Sequence, residues 1–455
     1  MEMILEFLRD VLSQPALLIG IMSCVGLIAL KRPFHKIMTG TLKPILGYLM
    51  LAAGAGVIVS NLDPLGKMIE HGFHITGVVP NNEAIVAVAQ KVLGVETMSI
   101  LVVGLLMNLL IARFTKFKYV FLTGHHSLFM ACLMSAVLGT AGLSGIELIL
   151  VGGFLMGAWS AISPAIGQSY TSKVTDGDEI ALGHFGSLGY YLSAWVAQYV
   201  GKAEDSTEDI EIPEKWGFLR DSTLSTALTM IVFYLIAAFA AGSEFVATLS
   251  GDMSPYLYAV MSAMNFAVGV TIVYSGVRMI LGDLIPAFQG IATKIIPNAI
   301  PAVDLSLIHI YAPTAVVLGF ISSFIGGIIG MLILGAVGGV LIIPGLVPHF
   351  FCGATAGIYG NATGGRRGAA VGAFLNGLAI TFLPALALPV LGQLGFQNTT
   401  FGDADFAVMG LVLGNAFEWI GMAGIYGVVV IAALVLIIPN FIKTKGKVIN
   451  YVEEE

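Results

Sequence analysis

Charge is what this sequence has least of. Asp, Glu, Lys and Arg make up 11% of its 455 residues, against 57% hydrophobic residues and a mean hydropathy of +0.91. Soluble domains carry roughly 25% charge, so the chain lacks the polar surface needed to face water all round, and a soluble globular class is excluded. Cysteine is scarce too. Cys24, Cys132 and Cys352 are scattered through apolar segments with no CxxC pairing, which argues against a disulfide framework and against a structural zinc site. No nucleotide-binding loop, zinc-hydrolase motif or serine triad is present, so no metal and no cofactor is expected. A basic leader is missing as well: Met1 to Gln14 is amphipathic, with Glu2, Glu6, Arg9 and Asp10, and Pro15 to Leu30 is expected to be a retained first span. What is there is a polytopic membrane protein, long enough for more than ten spans of roughly 20 residues each.

The few charges are localised. Six acids lie between Glu204 and Glu214 and three more form the tail from Glu453 to Glu455, which accounts for the net charge of −7 as solvated loop and tail. Lys31, Arg32, Lys36 and Lys43 follow the first span, and Lys443, Lys445 and Lys447 follow the last; clustered basic residues beside a span favour the cytoplasm, which puts the N-terminus outside and the C-terminus inside. Further spans are expected at 44–62, 98–112, 148–172, 222–243, 253–277, 368–394 and 419–442, with at least two more and a hairpin in the 61 uncharged positions from Leu305 to Gly365. The acidic segment 202–221 divides the chain into halves, 1–201 and 222–442, followed by a tail, 443–455. Gly56-Val-Ile-Val-Ser-Asn61 and Gly269-Val-Thr-Ile-Val-Tyr-Ser275 hint at a repeat across that division, and re-entrant hairpins are expected near 79–95, 178–201, 283–303 and 353–372. Arg366 and Arg367 fit no part of this scheme.

Polar residues inside such a chain are few enough to weigh singly. The stretch Val174-Thr-Asp-Gly-Asp-Glu-Ile-Ala-Leu-Gly-His-Phe-Gly186 is glycine-punctuated, and broken backbone survives in a bilayer only where protein buries it or it lines a wet cavity. His184 within it is a leading candidate. Leu122-Thr-Gly-His-His126 sets paired imidazoles beside a break, with His125 favoured over His126, for which a satisfied place in a helix bundle is as good a reading. Asp304 is the lone acid of its region; ionised at mid-membrane it costs roughly 2.5 to 3.5 kcal/mol, so it needs a ligand, a proton or a partner, unless it caps a helix start. Asn82 and Glu83 open a helix at a polar tip, where an N-cap and a first-turn acid are the plain reading. The passage from Gly353 to Arg367, with Asn361 and Thr363, reads as helix packing. His309 and His349 are expected at helix ends.

Five motifs then occur in order: an N-terminal pattern of Gly40, Lys43, Gly47, Ala53, Gly54 and Gly56, then Phe121-Leu-Thr-Gly-His125, Val174-Thr-Asp-Gly177 with Gly183-His184, Ala302-Val-Asp304 followed by Tyr311-Ala-Pro313, and Ile342-Ile-Pro-Gly345. Together they resemble, nearly end to end, the ascorbate-type membrane component, enzyme IIC, of the phosphoenolpyruvate-dependent sugar phosphotransferase system.

The resemblance implies an all-α homodimer in the bacterial plasma membrane, with about eleven transmembrane helices per protomer. Two inverted repeats would form a core domain that holds the sugar and a scaffold domain that makes the dimer contact. Such a chain moves L-ascorbate or a related sugar inward and is not itself an enzyme; cytosolic phosphocarrier subunits of the IIA and IIB type phosphorylate the sugar. Carried over by position, the sugar site falls on Asn82, Glu83, His125, His126, Phe129, His184, Phe185 and Asp304. Ascorbate-specific relatives tend to have glutamines after the two motif histidines, whereas Ser127, Leu128 and Phe129 follow here, and Phe185 and Gly186; the block Leu305-Ser-Leu-Ile-His-Ile310 departs as well. An ion-coupled secondary transporter of a small anion or polyol is the alternative that the same His and Asp residues allow.

Overall fold

A computed structural model describes residues 14–74, 82–177, 179–210, 222–392 and 400–441, together with Val11, Val78 and Pro80. The amphipathic start 1–10, Asp178, the linker residues 211–221 and the tail 443–455 lie outside the described residues, as does the side chain of Glu83.

The structure is a helical assembly. Helix α1 (Pro15–Ala29) leads into α2 (Phe34–Phe73), which runs for 40 residues through Pro44 and Pro64 and ends on His74 in the left-handed conformation. Lys36 and Lys43, expected in a loop, are therefore helical, and the stretch from Asp63 continues the same helix. Helix α3 (Asn82–Phe114) is likewise one 33-residue helix where a short helix and a separate span were expected. After it come β1 (Tyr119–Phe121), α4 (Gly124–Thr140), α5 (Gly145–Val174), β2 (Ala181–Leu182) and α6 (Ser187–Val200). The chain continues as α7 (Ser222–Ala241), α8 (Ser243–Ser250), α9 (Pro255–Lys294), β3 (Ile300–Val303), two 3-10 turns (Leu305–Leu307 and His309–Tyr311) and α10 (Pro313–Ala336). A π turn (His349–Gly353) enters α11 (Ala354–Gly392), and α12 (Ala404–Ile420) and α13 (Met422–Phe441) complete the described chain.

Among the described residues, seven helices are long and apolar enough to cross a membrane, or up to eight if the pair Met230–Ala241 and Ser243–Ser250, bent by 117°, counts as one broken span. This makes the chain a polytopic, largely helical membrane protein. α2 packs along α9 with α1 and α7 beside them, and Lys43 meets Asp283 across that contact at 3.7 Å. The remaining helices pack chiefly on one another: α10 on α11, α11 on α6, and α3 on α4 and α5.

Three short strands interrupt the helices among the described residues. β1, β3 and β2 form a three-stranded parallel sheet in that order, Phe121 opposite Ala302 and Leu182 opposite Val303. Backbone of this kind needs all its polar groups paired when it lies among apolar helices. The edges are met by side-chain amides: Asn108 of α3 donates to the Tyr119 carbonyl and accepts from the Phe121 N–H, and Gln168 of α5 donates to the Ile180 carbonyl beside β2. Gly183 allows β2 to approach, since a Cβ there would lie 2.3 Å from the Ala302 carbonyl oxygen.

The acidic segment ahead of 211 is built into the fold. Glu208 accepts from the N–H groups of Thr314 and Ala315 at the start of α10, the arrangement that suits a carboxylate at a helix N-terminus. Thr207 donates its N–H to Asn361, and Arg366 donates to the carbonyls of Ser206 and Asp209. Gly365, at φ 57°, breaks α11 beside this segment; a Cβ there would lie 2.3 Å from the Lys202 carbonyl oxygen. Arg366 thus finds its role as a clamp on the segment, and Asn361 belongs to the same contact.

Candidate functional site

The three short strands end at one place. β1 is followed by Thr123, Gly124 and the paired histidines, β3 by Asp304, and β2 by Gly183, His184 and Phe185. Parallel strands deliver the residues after their carboxyl ends to a common edge, the position at which open parallel sheets hold ligands. Six of the eight positions expected from the sequence converge there. The ring centroids of His125 and His126 are 4.7 Å apart, those of His126 and His184 3.7 Å, and those of His125 and Phe129 5.8 Å. Phe185 packs on Phe121 at 4.6 Å, flooring the site between β1 and β2. Asp304 Oδ2 lies 3.5 Å from His125 Nε2.

The hydrogen bonds fix how the rings are protonated. A backbone N–H can only donate, so a ring nitrogen that receives one must carry a lone pair. Phe185 N–H meets His126 Nδ1 at 3.4 Å, and Gly186 N–H meets His184 Nδ1 at 3.1 Å. The Tyr190 hydroxyl adds a second contact to His184 Nδ1 at 3.1 Å. In the neutral rings the proton is therefore on Nε2, which makes both imidazoles donors at that edge. His125 is oriented from both sides, by the Tyr48 hydroxyl on Nδ1 at 3.1 Å and by Asp304 on Nε2.

Exposure separates the roles. His126, His184, Phe185 and Asp304 are buried, while the His125 side chain is 35% exposed, so the cluster is reached past His125. Asp304 also serves the plain purpose weighed for it: its Oδ1 accepts from the Ser306 N–H at 2.9 Å and caps the 3-10 turn. Its other oxygen faces His125, so capping and site membership coexist. His309 and His349 stand at helix starts as expected, opening a 3-10 turn and the π turn, and both are buried, paired with Thr355 at 2.9 Å and Ser323 at 2.8 Å.

Asn82 takes a different position. It opens α3, and its side chain is bonded to the loop before α12: Asn82 Nδ2 donates to Asp403 at 2.5 Å and Gly402 N–H donates to Asn82 Oδ1 at 2.8 Å. Glu83 follows it in the helix. Sequence reasoning missed this loop altogether. Asp405, in the first turn of α12, is fully buried and accepts from Ser187 Oγ (2.7 Å), the Leu188 N–H (2.9 Å) and Trp159 Nε1 (3.2 Å), capping α6 directly after the His184 loop. Phe406 stacks on His126 at 5.6 Å. The signal was available: Asp403-Ala-Asp405 is an acid pair at the start of an apolar helical run. Tyr48 and Tyr190 carried no such signal, because a tyrosine inside an apolar helix reads as core.

Among the described residues no group of three His, Cys, Asp or Glu side chains has a metal-holding geometry. The arrangement offers imidazole N–H donors, one carboxylate acceptor and an aromatic floor, a set suited to a small polyhydroxylated molecule.

Comparison with known proteins places this chain in a family. The model of the PTS system sugar-specific permease component family matches residues 10–405. The chain is also 27% identical over 417 residues to the "Ascorbate-specific PTS system EIIC component" of Mycoplasma pneumoniae (strain ATCC 29342 / M129 / Subtype 1), an alignment that covers 78% of this chain and 62% of that relative. The chain thus spans about six-tenths of the length of the curated relative it matches. With the family model matched along most of the sequence, the chain belongs to the PTS system sugar-specific permease component family.

Proposed function

We propose that this chain binds L-ascorbate, or a closely related sugar, at the strand-end cluster and carries it inward for phosphorylation by cytosolic IIA- and IIB-type subunits. The observation that carries the reading is the convergence of His125, His126, His184 and Asp304 at one edge of the small sheet. Ascorbate is a monoanion with several hydroxyls. The Nε2–H groups of His126 and His184 are donors for its enolate oxygens, and Asp304 is an acceptor for a hydroxyl proton. Phe129 and Phe185 shape the apolar wall, and the tip at Asn82 and Glu83 closes the site from the α3 side. The name of the Mycoplasma relative supports the choice of sugar.

The movement in this proposal is of a core against a scaffold. The α1, α2, α7 and α9 group is the scaffold and homodimer face of this proposal, the remaining helices are the core, and the two inverted repeats with their hairpins supply the broken segments at the sugar. About eleven spans, an outside N-terminus and a cytoplasmic C-terminus complete it. The chain makes no phosphate bond. Vesicles bearing the protein, loaded with the phosphocarrier subunits, the upstream proteins that charge them and phosphoenolpyruvate, should accumulate labelled ascorbate as its phosphate; accumulation of free ascorbate at the same rate without those proteins would refute the coupling.

A further inference from the structure

Asp403 sits at the meeting of three segments that the sequence keeps far apart. It is buried, and its two carboxylate oxygens point to different neighbours: Oδ2 accepts from Asn82 Nδ2 at 2.5 Å and Oδ1 accepts from the Cys352 thiol at 2.8 Å. The preceding residue reinforces the first contact, Gly402 N–H donating to Asn82 Oδ1 at 2.8 Å. Cys352 lies in the π turn that enters α11, and the Tyr190 hydroxyl lies 3.1 Å from His184 Nδ1. Two residues on, Asp405 N–H donates to the Phe185 carbonyl at 2.9 Å. The 402–405 segment therefore joins the α3 tip, held by Gly402 and Asp403, to the backbone beside the site histidine, held by Asp405. A buried carboxylate demands strong donors, and each donor is consequently held to a narrow position.

We propose that Asp403 is a positioning residue of the sugar site: with Cys352 as its second donor, it fixes the Asn82 tip relative to the His184 loop through the short run to Asp405, and acts on the ligand only through them. This rests on the sugar-site reading given above. It also assigns Cys352 a role as hydrogen-bond donor in the frame of the site, with no redox chemistry.

The geometry supplies a discriminating set of variants. Asp403→Asn replaces one acceptor oxygen by an amide N–H that faces a donor on either side. Cys352→Ala removes the thiol donor, and Cys352→Ser keeps a donor of similar size. Two readouts on the full-length protein in detergent decide the matter: the Kd for labelled L-ascorbate, and deuterium uptake of the segments containing Asn82 and Gly402 without ligand. We expect Asp403→Asn to weaken binding at least tenfold and Cys352→Ala about fivefold, while Cys352→Ser stays within twofold of the parent. Exchange near Asn82 and Gly402 should quicken at least tenfold in Asp403→Asn and remain at the parent rate in Cys352→Ser. Parent-like binding in Asp403→Asn overturns the proposal, as does equal weakening by Cys352→Ala and Cys352→Ser, or exchange that does not change in any variant. If the parent protein itself binds no ascorbate, the choice of sugar fails, and the exchange measurement still decides whether Asp403 holds the tip.

Discussion

His126 and His184 lie with ring centroids 3.7 Å apart and planes inclined at 47°, and the Nδ1 atoms of both are met by two successive backbone N–H groups, those of Phe185 and Gly186. One turn of chain thus sets the tautomer of two rings brought in by different strands. A side chain that keeps the Nδ1-side acceptor but lacks the Nε2–H donor separates folding from binding. His184→Asn should keep its thermal midpoint within a few degrees of the parent while losing at least tenfold in ascorbate affinity, about 1.4 kcal/mol. His184→Ala, which leaves the Gly186 N–H without its acceptor, should lose both. Thermal unfolding and equilibrium binding on the same preparations check this.

Tyr48 brings α2 to the site. Its hydroxyl is bonded to His125 Nδ1, so Tyr48→Phe removes one hydrogen bond and little packing. The expected loss is about 1 kcal/mol of ligand affinity, roughly fivefold. If α2 belongs to a scaffold against which the rest moves, the variant should also change the rate of counterflow in vesicles by more than it changes Kd. An unchanged rate would assign Tyr48 to the core alone.

How much of this was legible beforehand depends on the kind of signal. The strand-end residues were found because they are polar in an apolar chain: His125, His126, His184 and Asp304 are each conspicuous, and glycines flank the histidines. The sheet that gathers them was invisible. Its strands are two to four residues long, and Tyr-Val-Phe, Ala-Leu and Ile-Pro-Ala-Val are indistinguishable by pattern from helix interior. Helix ends were misplaced for a related reason. Pro44 and Asp63 read as boundaries, yet α2 continues through both and through Pro64, because in an apolar environment neighbouring groups satisfy the backbone that a proline frees. Arg366 was unreadable because its partners are carbonyls of the 202–210 segment, more than 150 positions away in sequence.

Asp304 combines two roles that substitution can separate. Asparagine caps helix starts as well as aspartate does, so Asp304→Asn should leave the 3-10 turn intact and stability near the parent. Alanine forfeits the cap at a cost of about 1 kcal/mol. Both remove the carboxylate facing His125, and both should weaken ascorbate binding at least tenfold. Parent-like affinity in Asp304→Asn would reduce Asp304 to its capping role.

Gly183→Ala tests the sheet itself. The added methyl group would sit 2.3 Å from the Ala302 carbonyl oxygen, which is backbone and has no flexible end to yield. β2 must withdraw from β3 and carry His184 with it. The expected destabilisation is about 1–3 kcal/mol, the range for overpacking, with binding lost at temperatures where the variant is still folded. Circular dichroism melting and binding at 10 °C below the midpoint would check it.

The most direct test of the account is binding of labelled L-ascorbate to the purified protein, with unlabelled pentitols and hexoses as competitors. The account predicts saturable binding that unlabelled ascorbate displaces, that the neutral sugars leave unaffected, and that His184→Ala abolishes. No saturable binding, or displacement by a neutral polyol in place of ascorbate, would contradict it. The residues to blame would then be Ser127 to Phe129 and Phe185, which stand where ascorbate-specific relatives tend to carry glutamine.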